Sequence, residues 1–216
     1  ALIGLPVPPG FTLSTTVCTE YQNRGALPAG IMDKVREAVG RLERATGKKF
    51  GQADAPLLVS VRSGAPVSMP GMMDTVLNLG LNEEVRHGLE ALSGSAIFAR
   101  DSHRRFIQMF GNVVSGISGK HFEQELKAVK AFYDVNLDTE LGVEALDEVL
   151  ERYLKIYEEK AGEPFPDDPW VQLELAISAV FASWDNDRAI AYRRINRIPR
   201  ELGTAVNVQS MVYGNL

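Results

Sequence analysis

The spacing of apolar residues changes near Asn82. Before it, short apolar runs are broken by glycine and proline; after it, apolar residues recur every three or four positions. Leu57-Leu58-Val59-Ser60-Val61 is short and β-branched enough to predict a strand. Leu5 to Phe11 is Pro-rich and extended and leads into a strand-like Thr12-Leu13-Ser14, after which Thr15 or Thr16 can cap a short helix through Tyr21. Ile31, Val35, Val39 and Leu42 follow Pro28-Ala29-Gly30 at helical spacing, and that helix stops near Gly47. Beyond Asn82, helices are predicted over 84–92, 95–115 and 120–133, the last with Phe122, Leu126, Val129 and Phe132 on one side. Another spans 142–160, with Leu146, Leu150, Tyr153 and Tyr157 opposite a charged solvent face. Pro164, Pro166 and Pro169 mark a linker, and Asp167 or Asp168 caps the next helix, Trp170 to Trp184. That helix is apolar almost all round and should be deeply buried. A helix over 187–194 and a closing strand over Ala205 to Tyr213 complete the pattern.

This layout predicts an α+β fold with a discontinuous arrangement. Residues 1–82 and 167–216 form one α/β subdomain, interrupted by an all-helical insertion over 83–166. The 216 residues, 45% hydrophobic and 24% charged, can bury a real core and hold one or two domains. A net charge of -5 argues against bulk nucleic-acid binding while allowing a local basic pocket. Cys18 is the sole cysteine, so an internal disulfide is excluded and a reducing, cytoplasmic setting is expected. No apolar run reaches the roughly 18 residues of a membrane helix, so no membrane partner is expected. The start, ALIGLPVPPGF, has no basic leader and reads as the interior of a longer protein. MVYGNL ends without a tail. A fragment is therefore expected.

The most informative stretch is Leu57 to Gly80, where a strand presents Arg62 and then gives way to a loop rich in Gly, Ser, Pro and Met. A fixed cation with forked donors, next to a glycine-bearing loop, is a plausible device for holding phosphates. Neither P-loop nor GxGxxG spacing is present, and Arg62 paired to a surface carboxylate is the bland alternative. His87, His103 and His121 lie in the helical region without zinc spacing and read as structural or exposed; no metal ligands are assigned. Two arginine clusters, Arg100/Arg104/Arg105 and Arg188/Arg193/Arg194/Arg197/Arg200, face either solvent or a partner domain.

The string VRSGAPVSMPGMMDTVLNLGLN resembles a signature of the pyruvate, phosphate dikinase family, within its N-terminal ATP-grasp domain. GLPVPPGFTLST, FARDSHRRFIQMFGNVV, PFPDDPWVQLELAISAVFASWDNDRAIAYRR and GTAVNVQSMVYGN extend the resemblance over nearly the whole chain, which is identified as a member of that family. The resemblance implies a partial ATP-grasp fold whose third subdomain is absent. It implies ATP and Mg²⁺ as cofactors, with the Mg²⁺ ligands mostly in that missing subdomain. The activity it implies is phosphorylation of a histidine on a swivelling domain by ATP and phosphate, then transfer to pyruvate. The full enzyme is implied to be a homodimer, with the phosphohistidine domain as an internal partner for which either arginine cluster offers a docking surface.

By the same resemblance, Arg62 matches the catalytic arginine as a ligand to the ATP phosphates. Ser68 to Thr75 matches the segment closing over them, with Gly71 admitting close backbone contact and Thr75 donating its hydroxyl. Asp74 reads as a cap or loop brace rather than a metal ligand, and Met69, Met72 and Met73 either line the nucleotide pocket or fill the core. The stretch containing Gln209, Met211, Val212 and Tyr213 looks like the hinge on which adenine lies, a plain buried strand being the alternative. A lysine of the family's first glycine loop would lie before Ala1. Without it and the missing subdomain, the chain alone is expected to be inactive. The water-using phosphoenolpyruvate synthase and a non-catalytic docking scaffold are the competing functions, with SMPGMMDT favouring the phosphate-using enzyme.

Overall fold

The computed structural model describes residues 7–213, so expectations for 1–6 and 214–216 lie outside them. In chain order the first elements are β1 (Gly10–Leu13), α1 (Thr15–Arg24), α2 (Ile31–Thr46), β2 (Lys49–Phe50), β3 (Pro56–Leu57), β4 (Val59–Gly64) and β5 (Thr75–Leu79). Four helices follow, α3 (Glu83–Ser93), α4 (Ala96–Val113), α5 (Gly119–Phe132) and α6 (Val143–Ala161). The chain then returns through α7 (Pro169–Ala182) and α8 (Asp187–Asn196) to β6 (Ala205–Ser210). The result is α+β: an antiparallel sheet in the order β1-β6-β4-β5, a parallel pair β2-β3, and helices.

The helix boundaries follow local chemistry. Asn82 accepts from the Val85 N–H at 2.8 Å and starts α3, while the αL glycine Gly47 ends α2. Of the two aspartates before α7, Asp168 is the cap, accepting from the Trp170 N–H at 2.8 Å with Pro169 in the first turn. The apolar character of α7 is explained by its position under the sheet, where Leu173, Ala176, Ile177, Val180 and Phe181 are buried.

In register, Phe11, Val208, Val61 and Val76 form one row across the sheet, facing the core. The next row, Thr12, Asn207, Arg62 and Thr75, faces the opposite way because side chains alternate along strands. Thus one face of the sheet is apolar and covered, and the other is polar.

Several expected boundaries shift. The apolar run at 57–61 is divided at Leu58, with Leu57 in the parallel pair and Val59 onward in the main sheet. Thr75 to Leu79, expected as the end of a loop and its exit, is instead edge strand β5, with Val76 and Leu79 buried. The closing strand ends at Ser210 rather than Tyr213; Met211 donates one more backbone bond to Leu58 at 2.8 Å before the chain departs. Helix α1 continues three residues past Tyr21 to Arg24, ending at the αL glycine Gly25.

Both ends of the helical stretch meet α7. Buried Gln172 accepts from the Gly80 N–H at 3.1 Å and donates to the Leu81 and Pro166 carbonyls at 2.9 and 2.8 Å. Asn82 donates to the Asp167 carbonyl at 3.1 Å. At Gly88 of α3, an added Cβ would lie 2.0 Å from the Ala53 carbonyl oxygen, so helix and loop touch backbone to backbone. One continuous apolar core runs from Leu13 through the helical residues to Val208.

Candidate functional site

Strand β4 delivers Arg62 onto the polar face of the sheet, flanked by Asn207 on β6 and Thr75 on β5. The guanidinium Nη2 donates to Gln209 Oε1, and Gln209 Nε2 donates to the Pro8 carbonyl at 2.8 Å. Thr12 Oγ1 donates to Asn207 Oδ1 at 2.7 Å. Arg62 is exposed and, among the described residues, has no carboxylate partner. Its charge is therefore held by a neutral amide only, which leaves it available to an anion.

Two open depressions flank this row. One, about 470 Å³, lies over β1 and β6 and is lined by Val7 to Thr12, Arg62, Asn207, Val208 and Gln209. The other, also about 470 Å³, lies under the loop and includes Ser63, Gly64, Ser68, Gly71, Met73 and Thr75. Gly71 has φ +71, a left-handed conformation that suits a residue without Cβ.

The loop is anchored from behind by the region around α8. Met69 is 5% exposed and packs with Trp184 and Ala189, and Met72 and Met73 lie partly buried against the same cluster. Asn186 Nδ2 donates to the Met72 carbonyl at 3.0 Å. Asp74 Oδ1 accepts from Arg188 Nη2 at 2.8 Å, and its backbone N–H donates to Ser183 Oγ at 3.3 Å. Beyond β6, Val212 is 68% exposed, whereas the Tyr213 ring packs edge-on against Phe98 with 5.2 Å between centroids. Burial pushes the Tyr213 phenol up, so it stays protonated. Met211 follows directly on the last residue of β6, two positions after Gln209.

Apart from Met69, Met72 and Asp74, which hold the loop from behind, the expected residues fall into three places. Arg62, Thr75 and Gln209 share the polar face; Ser68, Gly71 and Met73 line the loop depression; Met211, Val212 and Tyr213 lie past the end of β6. Sequence reasoning missed Thr12, Asn207, Gly10 and Gly64. The alternation in AVNVQS was the available signal, since it puts Asn207 and Gln209 on one face.

Six of the eight arginines in the two clusters pair with carboxylates of this chain, Arg100, Arg104 and Arg193 in buried or half-buried settings and Arg105, Arg188 and Arg200 on the exposed surface. Arg100 pairs with Asp147 and Glu90 at 2.7 and 2.8 Å, and buried Arg104 pairs with Asp101 and Asp138 at 2.7 and 2.9 Å. Arg193 and Arg200 converge on Asp185 at 3.0 and 2.7 Å, with Arg193 also 4.5 Å over the Trp184 ring. Arg194 and Arg197 are exposed too and, among the described residues, make no ion pair. His103 is buried, and burial together with the Arg86 charge lowers its pKa to about 3, so it is neutral. Burial also raises the Cys18 thiol, which is therefore no ready nucleophile. No three His, Cys, Asp or Glu side chains converge as a metal site among the described residues. No described helix is long and apolar enough to cross a membrane.

Comparison with known proteins bears directly on this arrangement. Residues 24–216 match the family profile described as pyruvate phosphate dikinase, AMP/ATP-binding domain. The chain is 56% identical over 217 residues to a chloroplastic pyruvate, phosphate dikinase of Mesembryanthemum crystallinum, covering 100% of this chain and 23% of that protein. It is 54% identical to the pyruvate, phosphate dikinases of Giardia intestinalis and Rhizobium meliloti, in each case over 99% of this chain and 24% of the relative. The chain thus spans about a quarter of the length of these relatives.

Proposed function

This chain belongs to the pyruvate, phosphate dikinase family, and we propose that it forms one wall of such an enzyme's ATP site. The observation that carries this reading is Arg62, an uncompensated cation on an open polar sheet face with a glycine-bearing loop beside it. Arg62 binds the ATP phosphates, Ser68 to Thr75 closes over them through Gly71 and Thr75, and adenine lies against Met211 to Tyr213. Asp74 braces the loop through Arg188, and Met69 and Met72 serve it from the core side.

In architectural terms this is a partial ATP-grasp fold. Residues 1–82 and 167–216 make the α/β subdomain, 83–166 the helical insertion, and a third subdomain supplies the facing wall and the Mg²⁺ ligands. In the complete enzyme, a histidine on the swivelling domain takes the pyrophosphoryl group of ATP and releases AMP. Inorganic phosphate then removes the outer phosphoryl as pyrophosphate, and the remaining phosphohistidine converts pyruvate to phosphoenolpyruvate. The chain's contribution is positioning and charge neutralisation at the phosphates. The complete enzyme is a homodimer. The lone buried Cys18 suits a reducing compartment, the cytoplasm in the first instance.

The test is a product assay on the full-length enzyme with ATP, phosphate and pyruvate. AMP and pyrophosphate support the dikinase, whereas free phosphate without pyrophosphate points to the water-using synthase. The 216 residues alone should give no pyrophosphoryl transfer, and measurable transfer overturns the half-site reading. Calorimetry of this chain with millimolar Mg-ATP separates a docking scaffold, which gives no heat, from a nucleotide-binding wall.

A further inference from the structure

We infer that Gln209 is not a nucleotide ligand but the positioning residue for Arg62, aiming its guanidinium across β6. This rests on the reading of Arg62 as the phosphate ligand. Three observations converge on it. Gln209 is the group that accepts from the Arg62 guanidinium, and its own amide is anchored by the Pro8 carbonyl at 2.8 Å. The acceptor therefore cannot flip to present N–H to the arginine without losing that anchor. The strand register supports the same assignment, because Gln209 stands opposite Gly10 on β1 and Ser60 on β4. A Cβ at position 10 would lie 2.5 Å from the Val208 carbonyl oxygen, 3.0 Å from Gln209 Cα and 3.1 Å from its Cβ, so glycine there lets β1 approach the backbone of β6 closely at Gln209.

The neighbouring amide, Asn207, is held in place as well. A Cβ on Gly64 would fall 2.5 Å from Asn207 Nδ2, and Asn207 is held from the other side by Thr12. Strand β6 thus sets two amides on the polar face, Asn207 in the row that carries Arg62 and Gln209 in the next row on that face. An amide suits this task better than a carboxylate. It fixes the direction of the guanidinium while leaving its positive charge for the phosphates, whereas Asp or Glu would neutralise it.

Two measurements test the assignment. In this chain without nucleotide, the Nη resonances of Arg62, assigned by their loss in Arg62→Lys, should show slowed rotation about Nε–Cζ. Gln209→Met should abolish that slowing and Gln209→Glu should keep it. Slow rotation that survives Gln209→Met overturns the proposal. In the full-length enzyme, Gln209→Met should lower the rate of histidine phosphorylation about tenfold, the scale of one hydrogen bond to a charged group. KM for ATP should move less, by about twofold. Gln209→Glu should also be slow, because it keeps the aim and cancels the charge.

A double-mutant cycle with Arg62→Met then separates the two levels of the argument. If Gln209 acts through Arg62, adding Gln209→Met to Arg62→Met costs nothing further. An additive tenfold loss overturns the positioning role while leaving Arg62 as the phosphate ligand. If Arg62→Met itself leaves histidine phosphorylation unchanged, the reading of Arg62 falls, whatever Gln209 does.

Discussion

Arginines in the helical region and on the polar sheet face are treated in opposite ways. Arg100 and Arg104 each touch two carboxylates, and Arg104 is 2% exposed. Arg62 is exposed and is held by a neutral amide. In the helices the guanidinium is a crosslink: it ties α4 to α6 through Asp147 and to the turn at Asp138, and its charge is consumed there. On the sheet, the charge is kept while its direction is fixed. The lesson is that the neighbours of an arginine, rather than its presence, separate a structural cation from an anion-binding one.

The comparison breaks first where the crosslink is cut. Arg104→Met should destabilise the chain by about 3 kcal/mol, because Asp101 and Asp138, each about a third exposed, would lose the buried cation that both contact. Lys130, 3.0 Å from Asp138, limits the loss. Urea unfolding measures it, and a loss under about 1 kcal/mol would mean that the helical arginines are no more structural than surface pairs.

Next in size is the reciprocal change. Arg62→Met should leave the urea midpoint of this chain nearly unmoved, within about 0.5 kcal/mol as for other exposed positions. In the full-length enzyme it should slow histidine phosphorylation about 100-fold, roughly 2.7 kcal/mol of barrier. A stability loss as large as that of Arg104→Met would place Arg62 among the crosslinks and remove the contrast.

That contrast was only half legible in the sequence. The change of spacing at Asn82 located the helices, since periodicity reports which side of a helix is buried, and α2, α6 and α7 form close to where Ile31, Val143 and Trp170 place them. Strand β5 was hidden, because Met, Gly and Pro around it read as loop, and only tertiary pairing with β4 makes Thr75–Leu79 extended. At the site, Arg62 was conspicuous as a charge at the end of an apolar run. Its partners were not, since Gln209 and Asn207 lie some 145 residues or more along the chain and meet it only through the β4–β6 register. The buried pairing of Arg100 and Arg104 was equally invisible. Charge on a helix reads as solvent-facing until a carboxylate from α6 or the turn at 138 is known to approach it.

The smallest effect distinguishes the two regions by acid. His103 is buried between α3 and α6 beside Arg86, with Asp147 3.6 Å from that arginine, and its pKa falls from 6.5 to about 3. A folded-state pKa lowered in a base means that the unfolded chain binds a proton the native state refuses, between about pH 6.5 and 3. Stability is therefore lost as pH falls through that window, at up to about 1.4 kcal/mol per pH unit and less near its upper end. From pH 6.5 to 5.5 the expected loss is about 1 kcal/mol. The carboxylates behave otherwise. At Asp185 the Arg200 hydrogen bond lowers the carboxyl, and at Asp138 burial is outweighed by Lys130 and Arg104, so their contributions persist until pH drops below about 4. Urea midpoints at pH 6.5 and 5.5, for the native chain and His103→Gln, isolate the histidine. The variant should lose most of the difference between the two pH values, and an equal difference in both proteins would show that His103 is not the group that titrates.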